Sequence, residues 1–133
     1  MNNAIDLKPM PRNEEYEQSI LAGCILFEDL RQDAITFVSE TDFYKTAHRV
    51  IFQAIKAMTE KSEPVDLVSL AEFLKSQGQL EAVGNAYYLS QITDVPIPGN
   101  VKSYADTLKK YAQVGQIIQI CGKTMQSCYE LNI

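Results

Sequence analysis

Gly122-Lys123-Thr124 is the one tripeptide in this chain that resembles part of a nucleotide site. A phosphate cradle needs G-x-x-x-x-G-K-[ST] after a strand, because the leading glycine makes the loop turn and backbone N–H groups then surround the phosphates. The leading glycine would fall at position 117, which is Ile117, and Gly115 stands two residues too early. The residues before it read as helix, so the tripeptide is a coincidence. His48 is the only histidine, with no second histidine and no poised cysteine beside it in sequence. A packed, hydrogen-bonded ring is therefore expected rather than a catalytic base. Glu14, Glu15 and Glu17, and again Glu60, Glu63 and Asp66, offer carboxylate groupings for acid–base work. They fall at helix ends, where capping and the helix dipole already account for them. Cys24, Cys121 and Cys128 make an odd count without a C-x-x-C pair, which reads as buried thiols rather than a metal site. Tyr87 and Tyr88 have the rings to stack on single-stranded nucleic acid. They equally suit one ring in the core and one partly exposed beside a protein partner. No catalytic, cofactor-binding or metal-ligating set emerges.

Composition narrows the classes further. A chain of 133 residues is the size of one domain and buries roughly two-thirds of its unfolded surface. With 46% hydrophobic and 22% charged residues, it has enough apolar content to fold rather than stay disordered. The longest apolar run, Ile20–Phe27, has eight residues, whereas a bilayer needs about 20; it reads as a deeply buried helix segment. No charged-then-apolar leader pattern opens the chain, which makes the cytoplasm the expected compartment, with no membrane partner. A net charge of −5 argues against a domain that grips nucleic acid, since phosphate neutralisation calls for a basic stripe. Lys102, Lys109, Lys110 and Lys123 gather near the C-terminus, but they suit a solvated helix face; any DNA contact is expected to be weak or indirect.

The elements follow from periodicity and punctuation. Residues 1–12, with two prolines and little apolar pattern, read as a flexible N-terminal arm. A helix is expected from Asn13, its cap, through Leu26, and a weaker one over Asp29–Val38. In Thr46–Lys61, the residues Ala47, Val50, Ile51, Ala54, Ile55 and Met58 make a core-facing stripe. Asp66 caps a shorter helix whose inner face is Leu67, Leu70, Ala71 and Leu74 and which ends at Gly78. Asn85 opens another, carrying Tyr88, Leu89 and Ile92. Val95–Gly99 (VPIPG) re-aims the chain, and Asn100 caps one long helix from Val101 to about Tyr129. The expected architecture is all-α, a compact head of about five short helices over 13–99 and a long C-terminal helix over 100–133.

That last helix has two apolar faces. Val101, Tyr104, Ala105, Leu108, Tyr111, Ala112, Gly115 and Ile118 form one stripe; Val114, Ile117, Cys121, Met125 and Cys128 form another. One small head cannot cover both, so the second is expected to serve as an oligomer interface. Gly115 and Gly122, seven residues apart, either admit a second helix closely or are simply weak helix positions.

Several segments, in their order and spacing, resemble the N-terminal domain of DnaB-type bacterial or phage replicative DNA helicases. They are Glu17-Gln18-Ser19, DFYKTAHRVIF at 42–52, SEPVDLVSLAEFL at 62–74, GNAYYLSQI at 84–92 and NVKSYAD at 100–106. The likeness spans about residues 11–128. It implies an all-α head and a long helix that forms the first half of a hairpin, with hairpins packing into dimers and three dimers forming a collar on a hexamer. It also implies docking of the C-terminal domain of bacterial primase, with an aromatic contact matching Tyr88 and an aliphatic one matching Ile118. A further aliphatic contact would fall at Thr124, where this sequence is polar. ATP and Mg are then expected only in a motor domain outside these residues, and none in this chain. The expected role is a non-catalytic collar domain that mediates oligomerisation and primase docking in DNA replication. The rivals are a stand-alone protein that caps or regulates a host replicative helicase, and a small α-helical hydrolase.

The broken P-loop pattern sets a direct expectation: this chain shows no saturable ATP binding and no ATP hydrolysis. Nucleotide titration followed by fluorescence checks it, and saturable binding that disappears in Lys123→Ala would overturn it.

Overall fold

Asn13 starts the first helix: its side-chain oxygen accepts the Tyr16 N–H at 3.1 Å, satisfying a donor that the helix N-terminus leaves free. In the computed structural model, which describes residues 12–131, this helix, α1, spans Glu14–Leu26. The arm expected over residues 1–12 lies outside the described residues except for Arg12. A single extended residue, Phe27, joins α1 to α2 (Glu28–Phe37). A 3-10 turn at Glu40–Asp42 precedes α3 (Thr46–Glu60), α4 (Leu67–Ser76), α5 (Asn85–Ile92) and α6 (Val101–Leu131). No strand occurs among the described residues, and five short helices precede the long one, as expected. The helix expected over Asp29–Val38 is displaced by one residue at each end, because the tight Phe27 connection already lets Glu28 enter α2.

α1 is the axis of the head and touches α2, α3, α5 and α6. Every residue from Ser19 to Ile25 is buried, which is what an all-round apolar helix requires. The run stops being buried where the chain turns: Leu26 and Phe27 are 47% and 49% exposed, so the expectation of a buried segment through Phe27 fails at its last two positions. Arg31 clamps the corner, its Nε donating at 2.8 Å to the Cys24 carbonyl, one of the acceptors left free at the end of α1.

The stripes of α3 and α4 face inward as their periodicity requires. Ile51, Phe52, Ala54, Ile55 and Met58 are buried on α3, and Leu70 and Leu74 on α4. Asp66 caps α4 by accepting the Ser69 N–H at 2.7 Å, while its own N–H donates to the Ser69 hydroxyl at 3.0 Å. That Ser69 N–H, with the Ser69 hydroxyl beside it, holds the Asp66 carboxyl below its ordinary range. Gly78 takes a left-handed φ of +69° to end the helix.

Asn100 opens α6 by accepting the Ser103 N–H at 3.0 Å. The first half of α6 lies on α1, α2 and the 3-10 turn, with Val101, Ala105, Leu108 and Gly115 buried. Tyr104 stacks on Tyr16 at 4.2 Å between ring centres. The inward stripe ends at Gly115. Every residue from Gln116 to Leu131 is exposed, Ile118 included, so the stripe that runs from Val101 to Ile118 is covered only as far as Gly115. The reason is length: 31 residues make a rod of about 46 Å, longer than the head it leaves.

Ile51 and Leu70 are both fully buried. Truncation of either to alanine is expected to destabilise the head by about 2–5 kcal/mol, the usual cost of emptying a core site. Urea denaturation checks this, and an unshifted midpoint in Ile51→Ala would overturn the packing of α3.

Candidate docking surfaces

The single histidine sits at the centre of the only buried polar cluster of the described head. His48, on the first turn of α3, is fully buried, and its Nδ1 lies 2.7 Å from the carboxylate of Glu17 on α1. Glu17 is 1% exposed, and its other oxygen accepts the Tyr44 N–H at 2.8 Å. These contacts correct the expectation that Glu17 serves the helix dipole: it is turned into the core, and its near neighbours Glu14 and Glu15 are the ones left at the helix start. On the other side of the ring, His48 Nε2 is 2.7 Å from the Tyr88 hydroxyl, which also receives Gln18 Nε2 at 3.1 Å and Lys45 Nζ at 3.2 Å. No buried side-chain polar atom of the described residues lacks a partner. The carboxylate, imidazole and phenol have the look of a relay, and Glu17 also lines a cleft of about 290 Å³, but both ring nitrogens are engaged in bonds between elements of the head. The cluster is a tie between α1, α3 and α5.

Tyr88 owes its place to Gly84. The glycine has φ +101°, and a Cβ there would stand 2.8 Å from the Cβ of Tyr88. Tyr88 thus lies half-buried against the head, while Tyr87 projects with 73% of its surface exposed. One ring packs and one faces solvent, as the sequence suggested. Lys45 extends over the Tyr88 ring, its ammonium 4.5 Å from the ring centre.

The second surface is the far half of α6. Val114 (44% exposed), Ile117 (60%) and Met125 (50%) all face solvent, together with Cys121 and Cys128. Ile118 is 39% exposed on an adjoining side. The expectation that the cysteines are buried holds for Cys24 alone; nothing among the described elements reaches the other two. Burial pushes the Cys24 thiol up to about 12, against the smaller opposing pull of Arg31, so it is inert. Gly122 has open space around it, whereas Gly115 is buried and lines a cleft of about 290 Å³ with Arg12, Arg49, Gln116 and Gln119. The helix lysines do not make a free basic stripe: Lys109 is 2.7 Å from Asp42, and Lys102 is 3.3 Å from Asp106.

A head of five helices and a protruding sixth matches a known architecture in sequence. The family model described as the DnaB-like helicase N-terminal domain matches residues 9–110. The chain belongs to this family. It is similar to the replicative DNA helicase DnaB of Buchnera aphidicola subsp. Baizongia pistaciae, at 35% identity over 130 residues, which cover 97% of this chain and 28% of that protein. The DnaB of Pasteurella multocida is also 35% identical, over 96% of this chain and 29% of its own length. The chain therefore spans less than a third of these relatives, and it is their N-terminal domain that it resembles, not their motor region. The crystal structure of the N-terminal domain of DnaB helicase from Mycobacterium tuberculosis superposes with a TM-score of 0.85 at 29% identity, covering 91% of this chain and 88% of that one. The N-terminal domain of DnaB helicase from Helicobacter pylori, studied with its interactions with primase, has a TM-score of 0.74 and 14% identity over 97% of this chain and 99% of that one; it supports the fold. Among the described residues of this family member, no helix is long and apolar enough to cross a membrane, and no cluster of three metal-ligating side chains occurs.

The Glu17 cluster sets an expectation that separates the two roles of the first-turn carboxylates. Glu17→Ala strands the His48 ring N–H and the Tyr44 N–H without an acceptor, at about 1–3 kcal/mol each, and is expected to cost about 2–6 kcal/mol in urea denaturation. Glu15→Ala, at an exposed position, is expected to stay within about 0.5 kcal/mol. Equal effects of the two substitutions would overturn the assignment.

Proposed function

We propose that this chain is the non-catalytic collar domain of a replicative DNA helicase, which joins subunits through α6 and docks the C-terminal domain of primase. The observation that carries the reading is the exposed far half of α6, where Val114, Ile117, Cys121, Met125 and Cys128 are not covered by any other described element. Each large apolar side chain left in water forfeits about 1.5–3 kcal/mol, and a continuous strip of them marks a protein interface. The occupant is a second copy of the same chain, since the family resemblance implies that these helices become hairpins that pair into dimers, and dimers into a collar. In that arrangement the domain over 100–133 is the first half of the hairpin, and ATP and Mg belong to the motor region of the full helicase. Primase docks on Tyr88, whose ring lies at the edge of the head, and on Ile118, half-exposed where α6 leaves it. The Helicobacter relative, studied with its primase interactions, supports this partner. The net charge of −5 and the paired lysines leave DNA contact weak or indirect.

Sedimentation equilibrium tests the interface. The wild-type chain is expected to form a concentration-dependent dimer and Ile117→Glu to remain monomeric, because a charge on the strip is left desolvated in the contact. A wild type that stays monomeric at millimolar concentration, or a variant that associates as well, would overturn the interface. In the same samples, association is expected to slow alkylation of Cys121 and Cys128 as concentration rises.

A further inference from the structure

Tyr88 is held by a chain of hydrogen bonds that begins at one buried carboxylate and runs in a single direction. Glu17 only accepts, so the His48 nitrogen 2.7 Å away, Nδ1, carries the ring proton toward it. Nε2 lies 2.7 Å from the Tyr88 hydroxyl and accepts its proton, because the phenolic oxygen already receives two groups that can only donate. With its proton committed, the phenolic oxygen keeps its lone pairs for two donors, Gln18 Nε2 at 3.1 Å and Lys45 Nζ at 3.2 Å. Every group is used, and each bond sets the sense of the next. The imidazole and phenol planes differ by only 9°, so the ring of Tyr88 is aligned with that of His48. A phenylalanine at 88 over apolar residues at 17 and 48 would fill similar volume without any of this chain, and replacing buried polar pairs in that way is often neutral or stabilising. What the polar chain adds is a single allowed orientation of the ring and a fixed place for the Lys45 ammonium above it.

From this geometry we infer that Glu17 and His48 are positioning residues for the docking contact at Tyr88. They act through its hydroxyl to present the ring and the Lys45 ammonium, already ordered, to the partner. Ordering before binding removes a cost that the partner would otherwise meet on association. The inference rests on Tyr88 being a primase contact, and the experiment separates the two claims.

Affinity for the C-terminal domain of a bacterial primase is measured by isothermal titration calorimetry for the wild-type chain, Tyr88→Ala, Tyr88→Phe, His48→Gln and the Tyr88→Phe/His48→Gln double variant, with urea midpoints taken in parallel. Tyr88→Phe keeps the ring but is expected to raise Kd about fivefold or more, and His48→Gln to do the same. The double variant is expected to bind no more weakly than the poorer single one, because both substitutions break the same chain. A purely structural role for His48 would shift the urea midpoint and leave Kd unchanged. Wild-type Kd in both Tyr88→Phe and His48→Gln, with loss in Tyr88→Ala, overturns the positioning role and leaves the docking contact standing. Additive losses in the double variant also overturn the positioning role. Absence of binding by the wild type, or an unchanged Kd in Tyr88→Ala, overturns both claims. If His48→Gln does not fold, Tyr88→Phe decides alone.

Discussion

One carboxylate governs how the head of this domain is assembled. Glu17 sits in the first turn of α1 with 1% of its surface exposed, and its two oxygens face the Tyr44 N–H and the His48 ring. A buried charge without such partners costs several kcal/mol, so the chain entering α3 has little freedom over where it passes α1. That restriction then propagates. With α3 placed, His48 fixes Tyr88, and Tyr88 with Gly84 fixes the start of α5 against α1. The apolar contacts among Ile20, Leu21, Ile51, Ile55 and Leu89 supply the bulk of the stabilisation, but non-directional contacts tolerate sliding. The directional bonds to Glu17 are what select one register.

The second constraint is the mismatch between α6 and the head. Five short helices offer one groove, filled by Val101, Ala105 and Leu108, and the α6 rod continues about 24 Å past Gly115. A lone helix of that length is marginal in water, and Gly122 weakens it further. On the proposed reading its apolar side chains are half of an interface, with the other half supplying the packing that the head does not. The polar lining beside Gly115, with Arg12 and Arg49, marks the point where packing on the head ends and the free rod begins.

Local physics made much of this legible in the sequence. Asn13, Asp66 and Asn100 cap helices because their side chains reach donors three residues on, a rule that needs no tertiary knowledge. The stripes of α3 and α4 likewise follow from a period of 3.6. Glu17 was not legible, because a carboxylate in a first turn reads as a dipole residue. Its partners His48 and Tyr44 lie 31 and 27 positions away, and no short-range pattern distinguishes a buried glutamate from Glu14 or Glu15. The exposure of Cys121 and Cys128 was misread for a related reason: periodicity marks a face as apolar but does not say whether the same chain covers it.

The two proposed surfaces make different physical demands. The proposed association along α6 requires area, and the exposed strip of Val114, Ile117 and Met125 offers it with few directional contacts. The proposed docking contact at Tyr88 offers one aromatic ring beside Ile118, and a side chain of that kind contributes most when its orientation is settled beforehand. A buried polar chain would be wasted on the first surface, and an unrestrained tyrosine would serve poorly on the second. The proposed division fits a network of the described head that ends at Tyr88, while the far half of α6 carries no comparable network among its described residues.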